Sequence, residues 1–268
     1  MVQRGSDMDN SSRIYWFSGT GNSLYAAKCL SAELGITKLI RITGEVPIIE
    51  AVGGRDTKIG FVFPSYYGNL PRVVRSFVEK LEILPDTYIF TVVTMGGIGQ
   101  GSVAAMEDAL KGKGLRLNYG RGVRMPANYV MSYNPADPGK SDKRLDNTVM
   151  RVRSIASEIA ARTQSVKTLP VTANNLYKDI ANLDARFLVG DGCTGCGICE
   201  RICPAANILL QDGRPTWLHR CEHCAACISW CPANSIDYGT KTQARRRYRN
   251  SRIMLDELMP SDSQYLYT

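Results

Sequence analysis

The stretch Arg13-Ile-Tyr-Trp-Phe-Ser-Gly-Thr-Gly-Asn-Ser23 decides how this 268-residue chain begins to fold. Arg13 to Phe17 is a short apolar, aromatic run that reads as a buried strand. It passes directly into a loop of two glycines, three hydroxyl side chains and an amide. Beyond the loop Leu24, Ala27, Leu30 and Leu34 recur at helical spacing, and Gly35 ends the run. Strand, glycine–hydroxyl loop and helix together present main-chain N–H groups to a phosphate at the helix N-terminus. Two familiar phosphate loops do not fit. A Walker loop has its first glycine five residues before the second, but Gly139-Lys-Ser141 has Asn134 there and follows a Pro-rich loop, not a strand. A dinucleotide fingerprint would need glycine where Ser102 follows Gly97-x-Gly99, and an acidic residue near Arg116.

Two further loops of the same kind follow in order. Lys58 to Phe63 reads as a central strand and runs into Pro64-Ser-Tyr-Tyr-Gly-Asn-Leu-Pro71. Tyr88 to Thr94 is a second such strand; it opens into Met95-Gly-Gly-Ile-Gly-Gln-Gly101 before a helix expected from about Ser102 to Lys111. Each loop follows the carboxyl end of a strand, where an open parallel sheet binds its ligand. In these three loops the chain resembles the flavodoxins, which hold the phosphate of FMN with hydroxyls and N–H groups and without a cationic side chain. The resemblance implies an α/β domain over residues 13–165, a flavodoxin-like doubly wound sheet of five parallel strands in the order 2-1-3-4-5. It implies that Ser18, Gly19, Thr20, Gly21, Asn22 and Ser23 hold the phosphate. Ser65, Tyr66, Tyr67, Gly68 and Asn69 would face the isoalloxazine ring, with a tyrosine stacked on it and the Gly68 carbonyl meeting N5. Thr94, Met95, Gly96, Gly97 and Gly99 would complete the cofactor site.

Eight of the nine cysteines lie between Cys193 and Cys231, too clustered for a disulfide-stapled domain. Cys193, Cys196, Cys199 and Cys203-Pro204 form C-x2-C-x2-C-x3-C-P, and Cys221, Cys224, Cys227 and Cys231-Pro232 repeat it. A zinc ribbon wants two C-x2-C pairs and has no use for this run. A cubane takes three irons from one tight loop and the fourth from the Cys-Pro cysteine of the other repeat. One [4Fe–4S] cluster is therefore assigned to Cys193, Cys196, Cys199 and Cys231, and a second to Cys221, Cys224, Cys227 and Cys203. The segment is similar to bacterial two-cluster ferredoxins, which implies a C-terminal α+β domain over residues 188–240. His223 has no ligand position left to fill and is expected as a surface spacer.

The rest of the chain is read more coarsely. Residues 1–12 are polar, lack the apolar core of a signal peptide and are expected to be disordered. Met125 to Lys143 is a long loop, a candidate lid or partner surface; Leu145, Val149, Val152, Ala156 and Ile159 give a closing helix that ends near Gln164. Residues 166–187 form a linker in which Leu176, Ile180 and Leu183 suggest a short helix, and residues 241–268 a basic tail. No apolar run approaches the ~18 residues that span a membrane.

The formal charge of +8 raises the question of nucleic acid, and six positive charges with no acid stand between Lys241 and Arg252. No base-reading fold or aromatic platform accompanies them, so nucleic acid is not the expected partner; a solvated helical rim that packs beside the acidic ferredoxin module, or docks an acidic redox protein, is. Two clusters remove about four charges and a phosphate about two, which leaves the loaded chain near +2. The sequence points to a cytoplasmic electron carrier of an anaerobe, with FMN and two [4Fe–4S] clusters serving a redox partner protein. The alternative is an FMN-dependent reductase of a small unsaturated compound; no acid–base pair stands out, and no catalytic residue is assigned.

Overall fold

The computed structural model describes residues 11–44, 51–97, 99, 101–168 and 180–259. The first strand, β1 (Arg13–Trp16), is followed by helix α1 (Asn22–Leu34), β2 (Lys38–Arg41), β3 (Lys58–Pro64) and α2 (Arg72–Lys80). Next come β4 (Tyr88–Met95), α3 (Gly101–Lys111), β5 (Tyr119–Arg124), α4 (Pro138–Ala160) and β6 (Ser165–Val166). All six strands are parallel, in the order β2-β1-β3-β4-β5-β6. The first five reproduce the flavodoxin-like order 2-1-3-4-5. The sheet has six strands and not five because residues 165–166 add along β5; a two-residue strand carries no periodic signal.

Side chains alternate across β1 and so build two cores. Ile14 and Trp16 pack with Leu24 and Leu30 of α1 and Leu145, Val152 and Ile155 of α4. Tyr15 and Phe17 point the other way, onto Val74 and Phe77 of α2 and Val103 and Met106 of α3. Every residue of β4 is buried, as a central strand covered on both faces requires. Helix α4 begins at Pro138, seven residues before the apolar period that announced it. Asp137 caps it by accepting the Lys140 N–H at 3.0 Å, and Pro138 takes the first helical position. The long loop therefore ends at Asp137 instead of Lys143.

The C-terminal domain pairs β7 (Phe187–Val189) antiparallel with β10 (Ile236–Tyr238), and β8 (Ile208–Gln211) with β9 (Arg214–Trp217). Between them lie two short helices, α5 (Ile198–Ile202) and α6 (Ala226–Trp230). The two cysteine repeats share one backbone conformation. Gly195 and His223 have φ of 66° and 53°, Gly197 and Ala225 73° and 61°, and Ala206 and Asn234 47° and 49°. Of the linker helix, residues 169–179 lie outside the described residues, and Ile180–Arg186 forms a 3-10 turn. The expectation for residues 1–10 also lies outside them, as do 260–268 of the tail. Among the described residues no helix is long and apolar enough to cross a membrane.

Candidate functional site

The three Gly-rich loops converge on one cavity of about 200 Å³ that opens to solvent. Ser18, Gly19, Thr20, Asn22 and Ser23 line it from the end of β1 and the start of α1. Ser65, Tyr66 and Tyr67 line it after β3, and Thr94, Met95 and Gly96 where β4 ends. Hydroxyls lock the loops together. Ser23 Oγ lies 2.7 Å from Thr94 Oγ1, and Ser102 Oγ donates to the Asn69 carbonyl at 2.8 Å and lies 2.7 Å from Ser65 Oγ.

Five expected residues are not on the wall. Gly21 turns its N–H to Ser18 Oγ at 3.1 Å and is backed by Asn250 and Ile253. Gly68 and Asn69 belong to a two-residue hairpin turn, Tyr66 and Asn69 pairing across it while Tyr67 and Gly68 take φ of 52° and 75°. Gly99 is folded against Met95 and Ser65, and Gly97 has nothing within 4 Å of where a side chain would start. Ile98 and Gln100 of that loop lie outside the described residues.

Met125, Pro126, Asn128, Tyr129 and Tyr133 line the cavity from the loop after β5, the candidate lid of the sequence. Sequence reasoning missed the last part of the wall. His223, Cys224 and Ala225 come from the second cysteine repeat. No local pattern predicts that contact, because it depends on how the two domains pack. His223 is thus not a surface spacer. It is 2% exposed, and its Nδ1 meets Tyr129 OH at 3.0 Å and Tyr67 OH at 3.3 Å. The two hydroxyls also bond to each other. Burial, the largest influence, pulls the histidine pKa down to about 4, so near neutral pH the ring is uncharged. Burial likewise raises the pKa of both tyrosines.

The donor set at the start of α1 suits a phosphate. Ser18, Thr20 and Ser23 bring hydroxyls, the first turn of the helix has free N–H groups, and no Lys or Arg is among the described residues on the wall. The Asn22 side chain is spent inside the protein. Its Nδ2 donates to the Pro126 carbonyl at 3.0 Å, so its main-chain N–H is what it offers the cavity. Tyr66 and Tyr67 supply the flat apolar surface a fused ring system needs.

Cys193, Cys196, Cys199 and Cys231 line a second hollow together, which is the set the crossed spacing predicts. Cys196 is exposed, while Cys199 and Cys231 are buried. Burial pushes the Cys199 thiol up to about 11, with Cys196 and Cys231 adding to the shift. In the other set burial drives Cys221 to about 12 and Cys227 well above its usual value, and Cys203, Cys221 and Cys224 crowd Cys227 further. Thiols held this way ionise only when a cationic core stabilises the thiolate. Among the described residues no three His, Cys, Asp or Glu side chains close on a point that would hold one metal ion. Main-chain N–H groups already point at sulfur: Asn207 to Cys203 at 3.3 Å, Ser235 to Cys231 at 3.3 Å and His223 to Cys221 at 3.2 Å. Such donors stabilise an anionic cluster.

The two domains meet at the cavity. A Cβ on Gly19 would stand 2.2 Å from the Cys224 carbonyl oxygen, so only glycine lets the loop touch the cysteine repeat. Trp230 Nε1 donates to the Gly19 carbonyl at 3.1 Å. Arg72 at the start of α2 donates Nε to Glu222 Oε1 at 3.1 Å and reaches the Cys221 carbonyl. Farther along, Arg41 Nη2 donates to the Ile202 carbonyl at 2.8 Å, and Gly44 N–H to that of Pro204 at 2.7 Å.

The expected solvated helical rim of arginines is not a helix. Residues 245–252 run irregularly, and their guanidinium groups bond to main-chain carbonyls: Arg245 to Val130, Arg246 to Pro135, and Arg249 to Ser229 and Cys231. Guanidinium forks satisfy carbonyls that a tertiary interface leaves open, and through Arg249 the run packs beside the iron–sulfur domain as expected.

Residues 192–246 match the family model of a 4Fe-4S dicluster domain, so this part of the chain is a ferredoxin-type iron–sulfur domain. No curated protein matches the chain. Among solved structures it is similar to a Bacteroides uniformis protein described provisionally as a flavoprotein, at 15% identity and a TM-score of 0.36 over 44% of this chain and 92% of that one. It is also similar to an FMN-dependent NADH-azoreductase of Bacillus anthracis solved with FMN, at 13% identity and a TM-score of 0.36 over 57% of this chain and 100% of that one. The fold assignment stands on the strand order itself.

Proposed function

We propose that the chain is an iron–sulfur flavoprotein that relays electrons between two [4Fe–4S] clusters and FMN, and exchanges them with a redox partner protein. The clusters belong to Cys193, Cys196, Cys199 and Cys231 and to Cys221, Cys224, Cys227 and Cys203; FMN belongs in the cavity of the three loops. One observation carries the reading: Cys224 is at once a member of the second cysteine set and part of the cavity wall, against Gly19. When bound, clusters of this type pass single electrons, and flavin takes one or two.

The chain's own residues give this an order. Cys224 places the second set next to the cavity, so that set is proximal. The first set has the exposed Cys196 and faces outward, which makes it the port for a partner. Trp230 fixes the proximal repeat to the phosphate loop through Gly19, and Tyr67, Tyr129 and His223 close the cavity edge between them. To test the relay, the protein is loaded anaerobically with iron, sulfide and FMN and titrated with dithionite. Iron–sulfur and flavin absorbance should bleach together. A flavin that stays oxidised while the iron–sulfur bands bleach overturns the proposal.

The bonded Tyr67, Tyr129 and His223 give the second reading, direct reduction of a small unsaturated compound in the cavity, its specific support. Hydroxyls in reach of a bound acceptor supply protons. Reoxidation of the reduced protein by a panel of quinones, compared with reoxidation by a ferredoxin or flavodoxin, separates carrier from reductase.

A further inference from the structure

We infer that Tyr248 and Asn250, in the C-terminal segment beyond the cysteine repeats, are positioning residues of the flavin-phosphate site; this rests on the proposed FMN reading. The two side chains hold the phosphate loop from behind. Tyr248 OH donates to Asn22 Oδ1 at 2.7 Å, and Asn250 Nδ2 donates to the same oxygen at 3.1 Å. The Asn250 main-chain N–H donates to the Thr20 carbonyl at 2.9 Å. Asn250 is itself fixed, because its Oδ1 accepts the Arg252 N–H at 2.9 Å. At Gly21, where φ is 96°, a Cβ would stand 2.9 Å from Asn250 Cβ and 3.2 Å from Ile253 Cβ. Tyr248, Asn250 and Ile253 are 5%, 1% and 4% exposed, so the contact is dry.

These bonds act on the part of the loop that matters for an anion. The helix presents its first N–H groups only while Gly21 keeps its left-handed turn, and Asn22 anchors the turn with both lone pairs of Oδ1 filled from the C-terminal segment. A loop held in its binding conformation before the ligand arrives loses less entropy when it binds. The segment is held in place in turn. Arg249, between Tyr248 and Asn250, bonds to the Ser229 and Cys231 carbonyls and lies over the Trp230 ring. The C-terminal extension of the iron–sulfur domain thus completes an anion site on the other domain, more than 200 residues earlier in the chain.

The test compares Tyr248→Phe, Asn250→Ala and the double variant with wild type as full-length, iron- and sulfide-loaded protein freed of flavin. FMN and riboflavin, which lacks the phosphate, are each titrated by quenching of flavin fluorescence. The double variant should bind FMN about tenfold more weakly, while riboflavin affinity changes less than about twofold. Iron content should match wild type. FMN affinity within about twofold of wild type, or equal losses for FMN and riboflavin, overturns the assignment. Tyr248→Phe keeps the buried ring and guards against misfolding, and riboflavin binding reports an intact cavity. A wild-type protein that takes up neither flavin overturns the FMN reading and this assignment with it.

Discussion

Glu222 shows at the scale of one residue what joining the domains costs. Its side chain is 2% exposed, and its charge is answered by the guanidinium and main-chain N–H of Arg72 and by the main-chain N–H of Val73. Removing one partner of a buried pair is far more damaging than never having had the pair, because the other charge stays behind without water. Arg72 keeps a third of its surface in solvent, so Arg72→Ala belongs at the low end of the buried-pair range, about 3 kcal/mol. For a chain of this size that corresponds to a fall of about 6–12 °C in the denaturation midpoint of the loaded protein. Adding Glu222→Gln should recover part of the loss. A midpoint within about 2 °C of wild type would show that the pair does not hold the interface.

Among the elements, α6 ties the two domains together although it has only five residues. It begins one residue before Cys227, and its last residue, Trp230, packs in the core that β1, α1 and α4 build. Trp230→Phe keeps most of that packing and loses the bond to the Gly19 carbonyl, a cost of about 1 kcal/mol. Trp230→Ala also leaves a cavity and should cost about 3–5 kcal/mol. Chemical denaturation of the three proteins checks the split; equal losses in both variants would mean that the indole N–H, not the ring, does the holding. How much of this was legible in the sequence follows from the range of each signal. The loop after β1 and the cysteine spacings are local, since one turn and one metal core dictate residues a few positions apart, and both were read directly. The start of α4 was also written locally, in Asp137-Pro138, but an apolar period that begins only at Leu145 obscured it. His223 and the Tyr248–Asn250 clamp were not legible, because each has its role only through a neighbour about 90 to 230 residues away.

On the scale of the molecule, the two sequence motifs describe two domains, but the cores do not divide that way. Ile202, Ala226 and Trp230 of the iron–sulfur domain and Ile253 and Leu258 of the C-terminal segment share one cluster with Ile14, Trp16, Leu24 and Leu30. Val130, from the loop after β5, sits in the iron–sulfur core with Phe187, Ile228 and Tyr238. Apolar surface that is dry only while both domains are docked adds its burial energy to a single transition, at roughly 25 cal/mol per Å². The arginines act in the same direction, since their carbonyl partners lie on both sides of the junction. Denaturant titration of the anaerobic, iron-loaded protein should therefore give one midpoint, whether far-UV circular dichroism reports the helices or visible absorbance reports the cysteine sets. Trp230→Ala should shift both probes together. If visible absorbance were lost at clearly lower denaturant while α1–α4 kept their dichroism, the domains would be independent units, and the shared core would contribute little to holding Cys224 against Gly19.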